Sequence, residues 1–154
     1  MKAPKFKIGE RVVETITNNE YKITRVAKYD EQYGYVYDCF DSEKLMSFAC
    51  YEQQLIRKVV LTIEEAIKEK FGYTFEDLQI KCRKQIYSEP RAIASYLLKV
   101  DADLKYHEIG EILKRDHSDI VYLVGTMRGL YIHDYHYTRL INDLEERINE
   151  SRID

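Results

Sequence analysis

The apolar residues of this 154-residue chain change period once, and that change limits what it can fold into. In the first third they alternate, or cluster in short aromatic and β-branched runs. From Thr62 onward they recur at helical spacing. The run Gly9 to Ile16 reads as a strand after a glycine turn, and Tyr21 to Val26 alternates polar and apolar residues. Tyr33 to Phe40 and Met46 to Tyr51 are rich in residues that suit a pleated surface. Asn18-Asn19, Asp30-Glu31 and Asp41-Ser42 break these runs apart. Four or five short strands at such spacing predict a small antiparallel barrel over about residues 1–57.

The remainder, 58–154, reads as all-α, so the predicted class is α+β. Thr62-Ile63-Glu64-Glu65 has a capping-box pattern, after which Ile63, Ala66, Ile67 and Phe71 share a face and Gly72 is a plausible stop. Thr74 can cap a short turn containing Phe75 and Leu78. Ser88-Glu89-Pro90 predicts the start of a helix whose apolar stripe is Ile93, Tyr96, Leu97 and Val100. A further helix is expected over 104–113, and a last one from about Asp134 to Glu150.

The most specific stretch is Glu108-Ile109-Gly110-Glu111-Ile112-Leu113-Lys114-Arg115-Asp116-His117-Ser118-Asp119-Ile120-Val121. It reads as a short amphipathic helix, a tight basic turn, and a second helix opening on Asp116, His117 and Ser118. That is where a helix-turn-helix presents its recognition helix to base edges. The run resembles the signature of the carboxy-terminal DNA-binding domain of bacterial DnaA initiators, E-I-G-x-x-F-G-G-R-D-H-T-T-V, and is one residue shorter at the turn. Tyr73 to Leu78 followed by Lys81, Arg83 and Lys84 resembles the family's D-L-x-x-K-x-R segment. Pro90 to Lys99 resembles its R-P-R-x-x-A-x-x-L-x-K helix, and the likeness spans about Leu61 to Ile148.

The resemblance implies a helix-turn-helix of the TrpR-like kind and contact with double-stranded DNA. It assigns base-edge contacts to Asp116, His117 and Ser118, and phosphate contact to Arg115. Arg83, beside Lys84 in a basic loop, would enter the minor groove, where a narrow groove attracts guanidinium. Arg91 and Lys99 match basic positions near the DNA backbone, and Tyr106 or Lys105 could touch phosphate. Each has a plain alternative: Asp116 as an ordinary N-cap, and the cations as solvated surface charges. Two departures from the pattern stand out. Asp119 replaces a small hydroxyl residue, and Lys105-Tyr106-His107 replaces the common S-L-P.

Charge argues against a strong non-specific DNA binder, because the net charge is -3 and duplex affinity rests largely on neutralised phosphates. Many cations nevertheless fall in the DnaA-like stretch, while Asp143, Glu145, Glu146, Glu150 and Asp154 lie at the tail. Cys39, Cys50 and Cys82 lack C-x-x-C spacing, which suits reduced thiols in a cytoplasmic protein. The first residues show no apolar export segment, and no run is long enough to span a membrane. His133 and His136 could share a helical face as metal ligands do, but no third ligand accompanies them, so no metal or other cofactor is expected.

Catalysis is not expected either: there is no G-x-x-x-x-G-K-[ST] phosphate loop and no recognisable nucleophile motif. Phe6 to Val12, the tyrosine-rich strand and Glu52-Gln53-Gln54-Leu55 resemble SH3-like barrels found as adaptors, which leaves room for a protein partner there. Tyr33, Tyr35 and Tyr37 alternate on one strand face, as either a stacking platform or ordinary core. The expected function is a duplex DNA-binding accessory or regulatory protein of replication or transcription without ATPase activity. The alternative is a protein-interaction adaptor, of phage or mobile-element type, whose helix-turn-helix serves only as scaffold.

Overall fold

The computed structural model describes residues 3–153, with side chains described as far as Ser151. It divides into two compact units, Met1–Leu61 and Thr62–Asp154. The first holds strands β1 (Arg11–Glu14), β2 (Glu20–Asp30), β3 (Gly34–Asp41), β4 (Met46–Tyr51) and β5 (Leu55–Arg57). They form one sheet in the order β4-β3-β2-β1-β5, every pairing antiparallel. Three hairpins run in sequence, and a 3-10 turn at Glu52–Gln54 carries the chain back so that Ile56 of β5 lies opposite Val13 of β1.

Val12, Ile23, Tyr37, Cys39, Cys50 and Leu55, from all five strands, meet in one core, which requires the sheet to curl into a barrel. Register shifts in β2 between Ile23 and Arg25 and between Val26 and Lys28 help it bend. Tyr37 is fully buried; its hydroxyl accepts from the Lys5 (2.9 Å) and Phe6 (3.2 Å) N–H groups and donates to Glu52 (2.6 Å). Burial, reinforced by Glu52, pushes that phenol's pKa well up. Of the alternating tyrosines, Tyr37 is therefore core, Tyr35 packs at its margin, and only Tyr33 is exposed, where it meets Tyr51 at 4.9 Å.

The helices are α1 (Lys58–Phe71), α2 (Gln85–Val100), α3 (Tyr106–Leu113), α4 (His117–His133) and α5 (Tyr135–Ile153). Several boundaries differ from the expectation. Helix α1 starts a turn before Thr62, which is buried inside it, so the predicted capping box is not a start. Ile63, Ala66 and Ile67 do face inward, and Gly72, at φ 82°, ends the helix with its N–H on the Lys68 carbonyl. Thr74 and Asp77 exchange reciprocal bonds that form the predicted short turn. Backbone and side-chain donation from Thr74 lowers the Asp77 pKa.

Helix α2 begins at Gln85, not Ser88, because the backbone N–H groups of Tyr87 and Ser88 already bond the Lys84 carbonyl. Pro90 is thereby carried inside the helix, where it lacks the N–H that would bond the residue four back. The larger surprise is that Pro90 to Leu98 are all buried. Helix α2 is the central rod of its unit and has no solvent face at its middle. His133 closes α4 and His136 lies on α5, so the break at Asp134 keeps the two histidines off a common helical face.

Candidate nucleic-acid interface

All-round burial of α2 decides what Arg91 can do. A guanidinium that leaves water must have its donors satisfied. Arg91, 5% exposed, donates from Nε to the Leu78 carbonyl (2.9 Å), from Nη2 to Ile80 (2.6 Å) and from Nη1 to Cys82 (3.3 Å). The segment before α2 has no strand to pair with, and this single side chain accepts the role of its partner. Burial, and then the nearby charge of Arg115, lower the Arg91 pKa. The expectation that Arg91 contacts a DNA backbone is therefore corrected: all three guanidinium nitrogens are engaged inside the unit.

The helix-turn-helix corner explains the glycine of the E-I-G pattern. Lys114 adopts the left-handed conformation (φ 53°, ψ 49°), and its N–H and that of Arg115 both reach the Gly110 carbonyl. This folds the turn back so tightly that a Cβ on Gly110 would stand 2.5 Å from the Arg115 carbonyl oxygen. Only glycine admits that approach. The half-buried Arg115 side chain sends Nη2 to the Ile80 carbonyl at 2.6 Å, the oxygen that Arg91 also bonds. Gln79 adds a third tie, from Nε2 to the Ile112 carbonyl at 2.9 Å. The loop before α2 is thus fastened both to α2 and to the corner between α3 and α4. Arg83 and Lys84, where that loop enters α2, are exposed.

Helix α4 starts at His117 with Asp116 as its N-cap in extended conformation (φ -66°, ψ 152°). The Asp116 carboxylate makes no capping bond, so it is the N-cap by backbone geometry alone. Asp116, His117, Ser118 and Asp119 are all exposed, and Ile120, Val124 and Met127 anchor the helix. The His117 imidazole lies against the Tyr106 ring, 5.6 Å between centroids and 23° between planes. The Lys99 ammonium sits 4.5 Å from the Tyr106 centroid and bonds the Leu104 carbonyl (3.2 Å), so it is a fixed group between α2 and α3 instead of a free backbone contact. Lys105 caps α3 with its backbone N–H on Glu108 (3.0 Å), leaving its side chain exposed.

The nine residues expected at the site therefore fall into two groups. Arg83, Lys84, Lys105, Asp116, His117 and Ser118 are exposed. Arg91, Lys99 and Arg115 bond backbone carbonyls that set the position of the others. Sequence reasoning missed Gln79, which no local pattern marks, and the tie of Tyr106 to His117. It also missed the burial of Arg91, although Ser95 and Leu98 on the same helical face are small or apolar and signal that the face is not solvated.

Residues 60–126 match the family described as the bacterial DnaA protein helix-turn-helix. The chain is 24% identical over 149 residues to the chromosomal replication initiator protein DnaA of Onion yellows phytoplasma, covering 92% of this chain and 29% of that protein. It is 32% identical over 88 residues to the DnaA of Desulfotalea psychrophila, covering 57% of this chain and 18% of that one. It thus spans less than a third of these relatives. The AMPPCP-bound DnaA from Aquifex aeolicus superposes on 60% of this chain and 28% of its own, with a TM-score of 0.50 at 20% identity, a likeness of fold. Among the described residues, no helix is long and apolar enough to cross a membrane.

Proposed function

We propose that this chain, whose helical unit carries a DnaA C-terminal-like helix-turn-helix domain, is a duplex DNA-binding accessory or regulatory protein of replication or transcription. One observation carries the reading. The Ile80 carbonyl is held by both Arg91 and Arg115, which fastens the exposed basic loop of Arg83 and Lys84 to the corner from which α4 starts. A loop and a helix end fixed together suit a reader that addresses two grooves at once. Asp116, His117 and Ser118 would meet base edges in the major groove, Arg83 would enter the minor groove, and Lys84 and Lys105 would hold phosphates. The reading includes a role as a binder that acts without an ATPase of its own. A protein partner at the barrel belongs to the same reading.

Fluorescence anisotropy with random and initiator-box duplexes tests it. Binding at low salt should weaken linearly on a log–log salt plot, and Lys84→Ala should lower that slope by about 1. Absence of binding to both duplexes at low salt would exclude the proposal. A second reading, an adaptor that keeps the corner only as scaffold, is favoured by the exposed carboxylates of Asp116 and Asp119 on either side of His117 and by the net charge of -3. Replacing Asp119 with Ser separates the two: a DNA reader should gain affinity from the change, and a scaffold should gain none.

A further inference from the structure

The helix-turn-helix corner accounts for where α4 begins, but not for how the ring of His117 is held. A side chain at the first position of a helix is exposed and ordinarily samples several rotamers. Here the imidazole lies nearly parallel to the Tyr106 ring, 5.6 Å between centroids and 23° between planes. Tyr106 is itself held. It is half-buried at the start of α3, and the Lys99 ammonium sits 4.5 Å from its centroid while bonding the Leu104 carbonyl (3.2 Å). Cation, phenol and imidazole form one contact chain linking α2, α3 and α4. We infer that Tyr106 is a positioning residue for base selection, holding the His117 ring in one orientation at the surface. This rests on the DNA reading and adds to it a residue that need not touch a base.

The physical reason is that a freely rotating imidazole offers its nitrogens in many directions, whereas a stacked one presents them along fixed lines. Selectivity between base pairs needs that direction to be fixed; attraction to phosphates does not. Loss of Tyr106 should therefore weaken binding to the preferred duplex and spare the random one.

The test uses the full chain with Tyr106→Phe, Tyr106→Leu and Tyr106→Ala, each checked for native circular dichroism and thermal midpoint, on a preferred duplex obtained by selection and on random duplex. Tyr106→Phe keeps the stack and should keep the preference. Tyr106→Leu, which retains apolar bulk if Ala unfolds α3, should reduce the preferred-to-random affinity ratio by about threefold to tenfold, the range expected of an aromatic pair. In the free protein, proton NMR should show the His117 ring signals shifted upfield in the wild type and in Tyr106→Phe but not in Tyr106→Leu. Unchanged selectivity in Tyr106→Leu would overturn this inference while leaving the DNA reading intact. Equal losses on both duplexes would overturn it as well, making Tyr106 a general support. Failure of the wild type to bind any duplex would remove both.

Discussion

The two units use their cations differently. In the barrel, positive side chains meet carboxylates: Arg11 and Lys58 both pair with Glu20, Arg25 with Asp38 at 2.7 Å, and Arg57 with Glu10 at 2.5 Å, with the Lys5 carbonyl as a further acceptor. In the helical unit Arg147 pairs with Glu69 at 2.9 Å, but Arg91, Arg115 and Lys99 reach backbone carbonyls instead. A carboxylate cancels the charge it pairs with, whereas a carbonyl fixes the position of a cation and leaves its charge whole. The helical unit therefore concentrates two uncancelled guanidinium charges behind the loop of Arg83 and Lys84. A net charge of -3 for the whole chain hides this, because the field at a surface depends on where charge is cancelled and not only on its sum.

The largest test of this contrast is Arg91→Leu. Three carbonyls lose a charged donor, and urea unfolding of the helical unit should show a loss of about 3 kcal/mol at unchanged m-value. Arg91→Lys should recover only part of it, since an ammonium has no planar fork. A loss as small as that of an exposed ion pair would break the comparison. Next comes Gly110→Ala, which forces a Cβ into the 2.5 Å approach to the Arg115 carbonyl. It should cost about 2 kcal/mol, and hydrogen exchange should show lost protection in α3 and α4.

In the barrel, Arg25→Ala removes a pair whose arginine side chain is 70% exposed, and should cost less than about 1 kcal/mol, vanishing in high salt. Smallest is Lys114→Gly. It relieves the left-handed conformation at the corner and should stabilise the unit by about 0.5–1 kcal/mol, seen as a modest rise in Tm. No gain would mean that the Lys114 side chain offsets its own strain.

Local patterns made much of this legible. Alternation predicted the strands, and the Glu108 to Val121 run gave the corner, because capping, spacing and turn chemistry act over a few residues. Gly72 and the Thr74 turn were visible for the same reason. The start of α2 was misplaced because Ser88-Glu89-Pro90 is a good opening signal that packing of the preceding turn overrode. Arg91 was misread because a basic residue on a helix is usually at the surface, and that general preference outweighed the small and apolar Ser95 and Leu98 on the same face. Ties such as Arg115 to Ile80 and Gln79 to Ile112 join residues 35 and 33 positions apart, beyond the reach of any periodicity. The exposed members of the site were readable as a motif. The members that hold them in place were not.

The clamp on the Leu78 to Cys82 carbonyls also sets the calorimetric character of any docking event. A loop that ordered only on contact would add a folding component, with an entropic penalty of about 1–2 kcal/mol for each residue fixed and a heat-capacity change larger than the contact area accounts for. Here that ordering is complete before a partner arrives, because Arg91 and Arg115 have already immobilised the backbone. Association through this surface should therefore show the heat capacity of rigid bodies meeting, proportional to the area they cover.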